Sequence, residues 1–88
     1  RYHISKNKIQ LTPEVDVDKV LEKLKNDYND YYINDEDGVK IEFESGWVHL
    51  RKSNTEPIIR VYSEGDNEEV ANELAYGVME DVKEFTKK

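Results

Sequence analysis

The eighteen residues from Gly46 to Ser63 read GWVHLRKSNTEPIIRVYS. Two short apolar alternations flank a polar centre. Trp47 to Arg51 alternates Val48 and Leu50 with Trp47, His49 and Arg51, and Ile58 to Ser63 does the same around Ile59 and Val61. Such alternation marks half-buried strands, and the short polar stretch between them makes a hairpin. Pairing Leu50 with Ile59 and Val48 with Val61 keeps all four apolar side chains on one face, since a one-residue slip would turn every side chain over. Trp47, His49 and Arg51 then share the other face with Ile58, Arg60 and Tyr62. The chain has ten lysines and three arginines, and two of those arginines bracket this loop.

Working outward, Val39, Ile41 and Phe43 alternate with Lys40, Glu42 and Glu44, a further half-buried strand. Asp35-Glu36-Asp37-Gly38 before it is a turn, and Ser45-Gly46 turns the chain again. Upstream, Val17, Val20, Leu21, Leu24, Tyr28 and Tyr31 form one apolar stripe, read as a helix of about four turns. Either Thr12-Pro13 or Asp16 opens it. Residues 1–11 form an extended lead-in, with Ile9 and Leu11 as its apolar positions. Downstream, Asp66 with Glu69 fits a capping box. Val70, Leu74, Val78, Val82 and Phe85 follow, with Ala71, Ala75 and Met79 beside them, and make a second amphipathic helix. The expected fold is α+β: a small, mainly antiparallel sheet of about four strands with two helices on one face.

Length and composition bound what the fold can do. Eighty-eight residues make a single domain, 1–88, with one modest core. The net charge of −7 argues against a general nucleic-acid binder and against anionic membranes. No cysteine is present, which excludes thiolate metal sites and disulfides and fits a reducing cytoplasm. His3 and His49 have no companion at ligand spacing, so no metal site is expected. No apolar run approaches a membrane span.

Any anion site is therefore local, and residues 52–57 are the place for one. Ser53 and Thr55 offer hydroxyls, Asn54 tolerates a positive φ, and successive N–H groups can form a nest for an anion. Arg51 and Arg60 would add guanidinium forks suited to phosphate. Surface hairpins with the same residue types also occur without a ligand. Glu56 would oppose an anion unless it points away. His49 could approach a ligand or be a half-exposed strand histidine. Trp47 could stack on a sugar, seal the sheet or make an interdomain contact.

The segment Gly46 to Tyr62, with Asp37-Gly38-Val39-Lys40-Ile41 before it, resembles the C-terminal domain of the α-D-phosphohexomutases, the phosphoglucomutase/phosphomannomutase enzymes. Their phosphate loop reads Arg, any residue, Ser, Gly or Asn, Thr, Glu, Pro. This chain matches at Arg51, Ser53, Asn54, Thr55, Glu56 and Pro57. The resemblance spans 26 residues, Asp37 to Tyr62. It implies a TATA-box-binding-protein-like fold and a place as the fourth domain of a cytoplasmic enzyme that interconverts hexose 1-phosphates and 6-phosphates. Arg51, Ser53, Asn54, Thr55 and Arg60 would hold the phosphate that is not reacting. The phosphoserine, the Mg²⁺ and the sugar-reading loop would belong to the other domains of the same chain. No match to the nucleophile motif, the metal loop or the sugar loop is found in this sequence, so the expected role is binding without catalysis or a cofactor of its own. The expected partners are a sugar phosphate and those other domains. Asn54 in place of Gly leans towards the phosphomannomutase/phosphoglucomutase branch. The competing reading is a structural or protein-interaction domain that docks through its sheet face.

Overall fold

The computed structural model describes residues 2–86, so Arg1, the first residue of the expected lead-in, lies outside the described part. In chain order the elements are β1 (His3–Gln10), α1 (Val17–Asp27), β2 (Tyr32–Asn34), β3 (Val39–Phe43), β4 (Gly46–Lys52), β5 (Ile58–Gly65) and α2 (Glu68–Thr86). They build one antiparallel sheet of five strands in the order β1-β5-β4-β3-β2. The expected α+β architecture is present with one strand more than anticipated. That strand is β2, whose three residues are too short to show an alternation.

Parity decides what each face carries. Ile9, Val39, Ile41, Val48, Leu50, Ile59 and Val61 are buried, and with Leu24, Val78 and Val82 of the helices they form the core. Each such side chain contributes roughly 1.5–3 kcal/mol by leaving water. α2 packs over β1, β4 and β5, and α1 packs on α2 and β4. The sheet's other face stays open.

The β4–β5 register differs from the expectation by two residues. Leu50 pairs with Val61, Val48 with Ser63, and Lys52 with Ile59. A shift of two leaves every side chain on its expected face. It lengthens the ladder to Lys52, which satisfies more backbone groups. It also buries Ser63, whose hydroxyl donates to the Ala71 carbonyl at 2.6 Å.

Both helix starts are set by short polar side chains. Asp16, not Thr12-Pro13, caps α1 and accepts from the N–H groups of Asp18 and Lys19. For α2 the expected Asp66 capping box is replaced by Asn67. The chain remains in β5 through Gly65, which delays the helix, and the Asn67 side chain accepts from Val70 N–H at 2.9 Å. α1 has three turns rather than about four. Tyr28 closes it, and Tyr31 turns onto Phe43 with ring centroids 4.9 Å apart. The Tyr28 hydroxyl donates to Asp81 of α2, tying the helices together.

Candidate anion-binding loop

The loop between β4 and β5 is held from both sides. Ser53 N–H donates to the Ile58 carbonyl at 3.2 Å, continuing the ladder by one bond. Within the loop, Thr55 N–H donates to Ser53 Oγ at 3.3 Å, and the two hydroxyl oxygens lie 3.4 Å apart. A serine bonding the backbone two residues on is a local turn device. Ile58 N–H donates to the Glu56 carbonyl, and the Pro57 carbonyl accepts from Leu11 N–H at 2.7 Å. The loop is therefore stitched to the end of β1. Asn54 does not take the positive φ expected of it. Among the described residues the only positive φ belongs to Gly38, and the loop curls through its Ser–Thr turn instead.

Arg51 and Arg60 are direct cross-strand partners, so both side chains emerge on the open face. Arg51 borders a hollow of about 260 Å³ with Asp18, Leu21, Asp37, Gly38, Lys52 and Asn54. Arg60 instead lines a neighbouring hollow with Lys6, Asn7, Lys8 and Tyr62. Of the expected site residues, Arg51 and Asn54 line one hollow, Arg60 lines the other, and Ser53 and Thr55 line neither. Glu56 is exposed and does not line the Arg51 hollow.

Sequence reading missed the acidic side of the hollow. Arg51 contacts Asp37 at 3.2 Å, and Lys52 contacts Asp18 at 3.0 Å. Asp37 is brought there by Gly38, which sits at φ 73° where only glycine is unstrained. A Cβ on Gly38 would fall 2.2 Å from the Leu50 carbonyl oxygen. Extending the β3–β4 register back from Val39 opposite Leu50 places Gly38 beside Arg51, and that signal was available in the sequence. Both ion pairs are solvent-exposed, and such pairs contribute about 0–1 kcal/mol.

The neighbouring polar residues are engaged within the chain. His49 bonds the Asp37 carbonyl through Nε2. Trp47 donates to Glu64 at 2.6 Å, and Lys40 lies 4.8 Å from its ring centroid. Lys25 reaches Asp35 at 2.9 Å and anchors the β2–β3 turn to α1. Their hydrogen bond, followed by their mutual charge, raises the Lys25 pKa and lowers that of Asp35. Among the described residues no group of three or more His, Cys, Asp or Glu side chains is placed to hold a metal ion. Among them, too, no helix is long and apolar enough to cross a membrane.

Fold and loop together define an α+β domain with a cationic, hydroxyl-bearing hairpin at one end of its sheet. Residues 7–81 match the family model for the phosphoglucomutase/phosphomannomutase C-terminal domain, and the chain belongs to that family. It is 38% identical over 76 residues to a phosphoglucosamine/phosphogalactosamine mutase of Sulfurisphaera tokodaii, covering 84% of this chain and 17% of the relative. It is 56% identical over 43 residues to a phosphoglucomutase/phosphomannomutase of Thermococcus kodakarensis, covering 49% and 9%. A phosphomannomutase of Methanocaldococcus jannaschii is 37% identical over 54 residues, covering 61% and 12%. The chain thus spans less than a fifth of these relatives' length. Their names cover several sugars.

Proposed function

We propose that this domain holds the non-reacting phosphate of a hexose phosphate while other domains of a larger phosphohexomutase chain carry out phosphoryl transfer. The observation that carries the reading is the loop 53–57, with two hydroxyls 3.4 Å apart, at the end of the strand pair on which Arg51 and Arg60 stand directly opposite one another. Arg51 clamps the phosphate with its fork, Ser53 and Thr55 donate hydroxyl hydrogen bonds, and Asn54 offers its N–H. Arg60 adds positive field from β5. Binding at this remote end orients the sugar for reaction at the other. In the full enzyme the reaction is interconversion of hexose 1-phosphate and 6-phosphate, and this domain contributes binding alone.

Docking through the sheet face is the weaker alternative. Trp47, its natural anchor, already spends its N–H on Glu64 and lies under Lys40. Calorimetric titration with glucose 1-phosphate tests the choice. The domain should bind with a Kd on the order of millimolar, since it supplies only part of a cleft. Arg51→Ala should weaken binding by about tenfold or more. Equal binding by the two proteins, both folded, would remove Arg51 from the site and the reading with it.

A further inference from the structure

The open face carries a row of cations that the loop motif does not include. Lys8 of β1 stands directly opposite Arg60 of β5, and Arg60 stands directly opposite Arg51 of β4. Lys6 lies one same-face step along β1, opposite Tyr62. Like charges directly opposite one another destabilise an antiparallel pair. Arg51 is relieved by Asp37, but Lys6, Lys8 and Arg60 have no carboxylate partner among the described residues. The chain has acids to spare, with a net charge of −7. The strand acids on this face among the described residues, Glu42 and Glu64, both fall in the Trp47 row, two same-face steps from Arg51. Lys6, Lys8, Arg60 and the half-buried Tyr62 line a surface hollow of about 340 Å³.

We propose that Lys8, assisted by Lys6, is an anion-binding residue that continues the loop site across β5 onto β1, forming with Arg60 an outer seat for a phosphate dianion. The identity of the anion rests on the reading of the loop as a phosphate site. The row of cations follows from strand register alone. Arg60 joins the two seats, with the Arg51 loop on one side and Lys8 on the other. Asp37 sits at the Arg51 end of the row, and no carboxylate among the described residues pairs with Arg60, Lys8 or Lys6.

The test is an NMR titration of the labelled chain with inorganic phosphate, compared with sodium chloride at matched ionic strength. Lysine ε-methylene, Arg60 Nε–H and loop amide signals are followed together. Saturable, phosphate-specific shifts at Lys8 and Arg60, alongside Ser53 to Thr55, are expected. Lys8→Gln should weaken phosphate binding about three- to tenfold, and Lys8→Arg should restore it. In phosphate-free, low-salt buffer Lys8→Gln should melt about 1–4 °C higher, because a like-charge opposition is gone. If the loop amides shift while Lys8 and Arg60 respond to phosphate no more than to chloride, the outer seat is refuted and the loop site stands. If Lys8 and Arg60 respond while the loop is silent, the seat stands and the loop reading fails. Silence at both refutes both.

Discussion

At the scale of single residues, side chains that hold the fold differ from those that the proposed function assigns to a ligand. Tyr28 belongs to the first group. Its partial burial, then its hydrogen bond to Asp81 and that group's charge, push its phenol above the ordinary value of 10.0. A group whose folded pKa is raised adds stability that is whole below its unfolded pKa and is lost as pH rises. Melting temperature should therefore decline above about pH 10 more steeply in the wild type than in Tyr28→Phe. Parallel decline in both proteins would show that Asp81 does not hold the phenol. Arg51 belongs to the second group. One guanidinium nitrogen already contacts Asp37, and Arg51→Lys keeps the charge but loses the planar fork that could grip a phosphate with two nitrogens. Phosphate affinity of Arg51→Lys, measured by titration, should fall between the wild type and Arg51→Ala. A lysine variant as tight as the wild type would mean that charge alone suffices.

At the scale of elements, turns and caps fix where the site residues stand. Gly38 brings Asp37 to Arg51 and leaves no room for a side chain against the Leu50 carbonyl. Gly38→Ala should cost about 1–3 kcal/mol in denaturant unfolding, from the left-handed backbone and the contact it forces. An unchanged midpoint would contradict the turn geometry. Asn67→Ala removes the α2 cap and should cost about 0.5–2 kcal/mol by the same measurement. A full loss from Asp66→Ala instead would restore the capping box expected from sequence. The cap was misplaced because Asp66 and Asn67 are equally good cap residues. Only the extent of β5, which runs to Gly65, decides between them. The β4–β5 register failed for a related reason. Apolar alternation fixes the face but is blind to shifts of two, and a buried Ser63 is acceptable only because Ala71 lies within hydrogen-bonding reach. β2 was invisible because its single inward residue, Ile33, cannot show a period.

At the scale of the whole molecule, the pattern of Val48, Leu50, Ile59 and Val61 was enough to read the layer architecture. It also placed Arg51 and Arg60 on one face, since face follows from parity alone. The loop's residues were legible as a motif, while its conformation was not. Its curl comes from the Ser53–Thr55 turn, and its anchorage comes from Leu11 on a strand far away in sequence. Lys8 was unreadable as a neighbour of Arg60 because the β1–β5 pairing spans most of the chain. Among the described residues, Lys6, Lys8 and Arg60 stand together on the open face without a carboxylate partner, and this is the place proposed for a dianion to be drawn in against the overall field. The most direct test is a crystal structure of this domain grown with glucose 1-phosphate. The phosphate should lie within about 3 Å of the Arg51 guanidinium and the Ser53 and Thr55 hydroxyls. A phosphate bound elsewhere, with Arg51 still on Asp37 at saturating ligand, would contradict the account.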